Sequence, residues 1–466
     1  MRNLIPLAAL LALSGCVTLP ELKWPGFDLP KPPVATTPAQ AENLDRWWTR
    51  FSDAELDALV EEALRQNGDL RLAAARVEEA RANLGLADGA RYPLVQASAG
   101  ASRNQQSKAN SFTPPVTLSN KFQAGIQAAY EVDWWGEYRN ASQAAREDLL
   151  ASEMGREVVH NSLTAGVATA WFGLRTLDAQ LRLADQTVTN RLDWFNLQKL
   201  RAQVGEISEL ELAQSEAELA TAEAGQAQLA EAVARQETAL SVLLGRSPRQ
   251  LAEDQPKRGE ALPRVPEVPA GLPSDLLTRR PDIRQAEAAL RAADARVEEA
   301  RSALYPSLSL TASLGSESKQ LSDLFSGPAT VWGLAASVAQ TLYNAGRTEA
   351  ALQARAARRE QALIGYEETV RQAFKETLDA LVENRQARVR ADAETRRAEA
   401  QKRAAEVAEL RYRNGVASHL DLLDARRNLY LAEQNRLDAD LARLTAAVDL
   451  YKALGGGFQP APSQAR

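Results

Sequence analysis

Cysteine, histidine and paired carboxylates are the side chains that could carry chemistry, and this sequence uses them sparingly. It has one cysteine, Cys16, and two histidines, His160 and His419, in 466 residues. One thiol excludes a disulfide framework and a Cys-rich zinc module. Two histidines so far apart exclude a His-rich metal site. Glu78-Glu79 and Glu367-Glu368 read as solvated helix faces rather than acid–base pairs. His160 reads as an ordinary helix residue. His419, beside Ser418, reads as an exposed turn residue, whose unperturbed pKa of about 6.5 would let it respond to pH. The sequence holds no Ser-His-Asp pattern, no phosphate loop and no metal-spaced cluster, so neither an enzyme nor a cofactor is expected. One constellation has a direction: Leu420, Asp424 and Arg427 sit at i, i+4 and i+7, so a single helix face would carry all three.

Cys16 has the most specific setting. Met1-Arg2 precedes an apolar run from Leu4 to Leu13, then Ser14-Gly15-Cys16. A charged start and a short apolar run make a secretory signal, too short to span a bilayer. Leu13-Ser14-Gly15-Cys16 resembles a bacterial lipobox. Residues 1–15 are then a lipoprotein signal peptide, and Cys16 becomes the lipid-bearing first residue. Acyl chains contribute roughly 0.8 kcal/mol per buried CH₂, so multiple acylation anchors stably. Val17, not Asp, follows the cysteine, which points to outer-membrane retention. Residues 16–40 contain Pro20, Pro25, Pro30, Pro32, Pro33 and Pro38 and read as an extended tether.

The formal charge of −6 and pI near 5.4 argue against a nucleic-acid partner. A mean hydropathy of −0.34, with no apolar run of about 18 residues, excludes a helical membrane protein. The 86 alanines favour helix. No proline lies between Pro115 and Pro248 or between Pro328 and Pro460. Proline costs about 3 kcal/mol inside a helix, so these stretches permit very long helices. Seven prolines crowd residues 248–281 between them.

The two halves are copies. Asp69-Leu70-Arg71 matches Asp282-Ile283-Arg284 and Tyr92-Pro93 matches Tyr305-Pro306, both 213 apart. Gly136, Gly205, Ser208, Leu210 and Leu244-Gly245 match Gly346, Gly415, Ser418, Leu420 and Leu454-Gly455, all 210 apart. The slip of three belongs in a loop. The first repeat is 41–245, the linker 246–281, the second repeat 282–455 and the tail 456–466. Each repeat reads as helix, β-hairpin (94–133 and 307–342), long helix, tight turn (near 205 and 415) and shorter helix. Helices tend to stop before Tyr-Pro. Residues 138–203 and 348–413 would each span about 99 Å. Leu363, Tyr366, Val370, Ala373, Thr377 and Leu381 alternate steps of three and four, a coiled-coil seam.

Between Tyr-Pro and the conspicuous glycines, apolar and polar residues alternate. Phe122, Ala124, Ile126, Ala128, Tyr130 and Val132 interleave with Gln123, Gln127, Glu131 and Asp133, and three other segments do the same. Period two over about ten residues gives strands with one apolar and one polar face. Two ordinary hairpins on a soluble core would also alternate. A membrane barrel is favoured by Phe122, Tyr130, Trp134, Trp135, Trp332 and Tyr343 near the strand ends. The polar loops 104–121 and 316–330 offer no obvious cover for the apolar faces. Four strands cannot close a barrel, whose minimum is about eight. Two chains would give eight strands and three would give twelve.

The string Arg279-Arg280-Pro281-Asp282-Ile283-Arg284-Gln285-Ala286-Glu287, the entry Tyr305-Pro306-Ser307, and Leu450-Tyr451-Lys452-Ala453-Leu454-Gly455-Gly456-Gly457 resemble TolC-like outer-membrane efflux proteins. The match is to the lipoprotein branch that serves RND-type pumps, and Trp47-Trp48, Phe51, Asp53 and Leu56 fit the same pattern. The resemblance implies an α+β membrane protein and a homotrimer: a shared twelve-stranded barrel and a periplasmic tunnel of coiled-coil helices. Residues 41–66, 248–280 and the C-terminus would form a belt. It implies passive conduction, with a periplasmic adaptor (a membrane fusion protein), an inner-membrane RND pump and outer-membrane lipid as partners. The adaptor-docking tips would be Val204, Gly205, Glu206, Ile207 and Ser208, and Asn414, Gly415, Val416, Ala417 and Ser418. Leu200-Arg201 and Leu410-Arg411 precede them, and Glu206 stands where family tips carry an apolar residue. The periplasmic gate would be Leu420 and Asp424, with Tyr412 and Arg427 as restraining contacts. A type I secretion duct or a pore-free periplasmic coiled-coil scaffold remain alternatives.

Overall fold

The computed structural model describes residues 46–105, 118–247 and 280–457, with Leu22, Trp24, Leu262, Pro263, Val265 and Pro266. Cys16, most of the tether, most of the linker and the end of the tail lie outside the described residues. Seven helices are described: α1 (Ala54–Gln66), α2 (Gly68–Gly89), α3 (Glu137–Gln203), α4 (Glu209–Leu243), α5 (Pro281–Ser302), α6 (Arg347–Arg413) and α7 (His419–Ala453). Four strands accompany them: β1 (Leu94–Gln105), β2 (Leu118–Glu131), β3 (Ser307–Ser318) and β4 (Thr330–Ala339).

The internal repeat sets these bounds. α2 and α5 have 22 residues each, α3 and α6 have 67, and α4 and α7 have 35. β1 and β3 match at the 213 offset and the long helices at 210, so the slip follows β1 and β3. At 1.5 Å per residue, a 67-residue helix is about 100 Å long.

The chain forms two compact units, and each draws on both repeats. One holds 76–153 and 285–367 and contains the sheet. Its four strands are antiparallel in the order β1-β2-β3-β4, so β1 and β4 are its edges. The register aligns the alternation across all four strands. Val95, Ala128, Ala312 and Leu334 form one row, and Ala97, Ile126, Leu314 and Trp332 the next. The opposite face carries Gln96, Gln127, Ser313 and Gly333. Gly125 and Gly315 pair on that polar face, where a Cβ on Gly315 would lie 2.5 Å from the Ala124 carbonyl oxygen. Both strands run further than the alternation indicates: β2 starts at Leu118 and β3 continues to Ser318. Trp135 stacks on Tyr305 at 4.6 Å and donates its Nε1–H to the Pro306 carbonyl at 2.8 Å.

The other unit, among the described residues, holds 46–75, 154–247, 280–284 and 368–457 and contains the main core. Trp47, Phe51, Leu56, Trp171, Phe172, Leu240, Leu244, Leu444 and Tyr451 meet there, all buried. Trp47 stacks on Tyr451 at 5.4 Å, and Phe51 lies 4.9 Å from Phe172. Asp53 joins local and long-range structure: one carboxylate oxygen caps α1 at Glu55 and Leu56, and the other accepts from Trp171 Nε1 at 2.9 Å. Two joints set short helices end to end. Asn67 donates to the Leu243 carbonyl at the end of α4 and accepts from Asp69 and Leu70 at the start of α2. Arg280 donates to the Ala453 carbonyl at the end of α7 and pairs with Asp282 at the start of α5. The α6 seam is built from small residues: Val370, Ala373, Thr377, Ala380, Ala387, Ala391, Ala398 and Ala405 are buried. Ala380 takes the place expected for Leu381, which is half-buried. A seam of alanines lets backbones approach more closely than leucine would.

Candidate functional site

The two helical hairpins end in turns of one design. Gly205 and Gly415 adopt φ of 78° and 72°, which only glycine reaches cheaply. Glu206 N–H donates to the Arg201 carbonyl, and Val416 N–H to the Arg411 carbonyl, both at 2.9 Å. These are Schellman closures. Ser208 and Ser418 then start the next helices with capping boxes to Glu211 and Asp421. The Asp421 carboxylate accepts from the Ser418 hydroxyl and backbone N–H, which holds its pKa below the usual carboxylate value.

The turns push apolar side chains outward. Val204 is 71% exposed and Val416 65%, and Leu200, Leu210, Leu410 and Leu420 are all exposed. Gly205, Gly415, Ser208 and Ser418 are exposed, while Ile207 and Ala417 are half-buried. Leu200 matches Leu410 and Leu210 matches Leu420 at the repeat offset, so both tips offer the same apolar frame. The tips differ between them: Val204 and Glu206 answer to Asn414 and Val416. Glu206 lies 3.9 Å from Arg201, which gives its charge a local partner.

Leu420, Asp424 and Arg427 share one face of α7, as their spacing requires, with Leu420 and Arg427 exposed and Asp424 half-buried. Asp424 Oδ1 accepts from Arg427 Nη2 at 2.7 Å, so the carboxylate is already paired within its own helix. The buried Leu422 points the other way and seats this end of α7. Tyr412 is half-buried near the end of α6, and its hydroxyl lies 3.5 Å from Gln198 Nε2.

His419 departs from expectation. It is 5% exposed and is the first residue of α7, not an exposed turn residue. Its ring lies parallel to Trp194 of α3 at 6.0 Å and beside Tyr412 at 5.8 Å. The Arg426 guanidinium lies 4.6 Å from the Trp194 ring centroid and pairs with Glu409 at 3.3 Å. The reason is packing: the turn after Gly415 directs residue 419 inward, where a flat ring fits against two aromatics. Burial holds the His419 pKa below the ordinary 6.5. His160 is half-buried in α3 and is lowered for the same reason.

Sequence reading missed Trp194, Gln198 and Arg426 at this site. A signal was available. At the 210 offset Trp194, Tyr412, His419 and Arg426 correspond to Ala404, Ala202, Glu209 and Glu216. The cluster therefore sits where the two repeats disagree.

The chain matches the family model "Outer membrane efflux protein" over residues 59–246 and 272–456. It is 33% identical to the cation efflux system protein CusC of Escherichia coli, covering 98% of this chain and 99% of that one. It is 32% identical to the probable outer membrane lipoprotein SilC of Salmonella typhimurium, with the same coverage. The solved CmeC outer membrane channel of Campylobacter jejuni superposes with a TM-score of 0.88 at 27% identity, over 94% of this chain and 95% of that one. Together with the duplicated helical hairpins and the two-faced sheet, these likenesses show that the chain belongs to the outer membrane efflux protein family and serves as an outer-membrane efflux duct.

Proposed function

We propose that three copies assemble into one exit duct that conducts substrate passively outward from a periplasmic adaptor and an RND-type inner-membrane pump. The sheet carries this reading. Its apolar face is in register across four strands and stays uncovered in one chain, with Trp332 73% exposed and Leu334 76%. Its two edge strands have no outer neighbour among the described residues. An open, apolar, four-stranded sheet is unstable in water and too small to close in lipid. Twelve strands from three chains solve both problems, with the Gln96–Gln127–Ser313 face lining the lumen.

Lipid on Cys16 would hold the assembly to the outer membrane, in keeping with the lipoprotein name of SilC. The matched apolar frames at the two tips would receive the adaptor. Leu420 and Asp424, restrained by Tyr412 and Arg427, would narrow the periplasmic end. Passive conduction needs neither catalytic residues nor a cofactor.

The test is direct. Purified full-length protein should run as a heat-modifiable trimer and give stepwise conductance in planar bilayers. Monomers in outer-membrane fractions, or trimers without conductance, would reject the duct. Labelled palmitate should enter the wild type and not C16S.

A further inference from the structure

The cluster around His419 adjoins the residues read above as the gate, and its role rests on that reading. His419 is nineteen-twentieths buried, yet neither Nδ1 nor Nε2 has a hydrogen-bond partner among the described residues. Gln198, fully buried with its Nε2 3.5 Å from the Tyr412 hydroxyl, likewise has no partner for its Oε1 among the described residues. An imidazolium carries two N–H donors, and with no acceptor at either nitrogen a second proton on this buried ring would go unpaired, so burial opposes the charged form. Trp194 is gripped from α7 by two residues seven apart: His419 stacks at 6.0 Å and Arg426 lies at 4.6 Å. Two turns of α7 are thereby fixed to α3. Leu420 and Asp424 lie within those two turns.

We infer that Trp194, Tyr412 and His419 form a latch that positions the gate end of α7, and that protonation of His419 releases it.

The charged groups around the ring decide the direction. From α4, Glu211 and Glu218 favour the imidazolium, but Glu211 is engaged by Ser208 and Glu218 by Arg191 of α3. From α6, Glu409 is paired with Arg413 and Arg426. On α7, Arg426 opposes a second cation. Asp421 stays ionised in mild acid, because Ser418 holds its pKa down. Desolvation is the largest influence, so the packed ring binds its proton more weakly than a free ring. The sign follows from linkage. The latch is at full strength above the free-ring pKa of 6.5 and weakens as pH falls below it. Each unit of depression permits up to about a tenfold shift toward the released state. These are positioning residues; none need touch the substrate.

The test is single-channel recording of the full-length trimer in planar bilayers at about pH 7.5 and about pH 5.5. The wild type should show a several-fold rise in open probability at the lower pH. H419F keeps a flat ring in the cage but cannot titrate, and should lose the response. W194A should be open at both pH values. A wild type indifferent to pH, or an H419F channel that responds to acid as the wild type does, would overturn the latch while leaving the duct intact. A wild type with no conductance at either pH would overturn the duct reading and the latch together. H419F retains the gate carboxylates, so any response they cause persists in it. If W194A does not assemble, the comparison of wild type with H419F decides alone.

Discussion

A charge placed on one face of the sheet should be ruinous, and the same charge one residue away on the other face harmless. Leu334 is the fifth of ten residues in β4 and lies on the row Val95–Ala128–Ala312–Leu334. That row meets lipid if the apolar face is outward. Arginine near the bilayer midplane of a barrel costs about 2–4 kcal/mol. A trimer carries three copies, so L334R should cost roughly 6–12 kcal/mol per assembly. Even about 3 kcal/mol per chain is more than a hundredfold. The control is S313R. Ser313 neighbours Ala312 in β3 but points to the polar face, opposite Gln127 and the side-chain-free Gly333. Its arginine would enter water, within the roughly 0.5 kcal/mol typical of a surface substitution. The assay is the amount of heat-modifiable trimer in outer-membrane fractions, with urea unfolding in liposomes for the free energy. L334R should abolish the trimer and S313R should retain it. Equal damage from both, or a normal L334R trimer, would refute the assignment of faces.

Three further outcomes follow from the hairpins and the joints. G415V forces a β-branched residue into φ of 72° at about 1–2 kcal/mol, and should weaken adaptor cross-linking while leaving the trimer intact; unaltered cross-linking would detach the tip from docking. D424A should raise single-channel conductance, because it removes both the carboxylate and its hold on Arg427; unchanged conductance would remove Asp424 from the gate. R280M should lower the thermal unfolding midpoint by an amount equivalent to about 3 kcal/mol, the lower end for a buried ion pair because Asp282 and Glu376 keep partial water contact; an unmoved midpoint would show that the Ala453 joint holds without it.

Much of this fold is legible in the sequence because the duplication supplies two readings of each boundary. Helix ends that proline spacing alone leaves loose are fixed by Gly136 with Gly346 and by Gly205 with Gly415. The strands are legible where apolar residues alternate and fade where they do not. Ser316 and Ser318 interrupt the pattern, yet the backbone ladder continues through them to Ala124 and Phe122. The α6 seam is hard to place because alanine lies on every face of that helix, and hydropathy cannot separate Ala380 from its exposed neighbours. The tips and the α7 face follow from spacing and turn chemistry. His419 does not, because its burial depends on Trp194, which lies 225 residues away in the other repeat. Such a contact is visible only as a disagreement between the copies.

Three chains must close one pore through the edges β1 and β4. Thiols introduced at Ala97 in β1 and Ala336 in β4, both on the apolar face, in a C16S background expressed to the outer membrane, can be bridged with a flexible bifunctional reagent. Predicted is a ladder that ends at a covalent trimer, from a particle that conducts as a single channel. A ladder ending at two or running past three, or a conducting species of one uncross-linked chain, would contradict it.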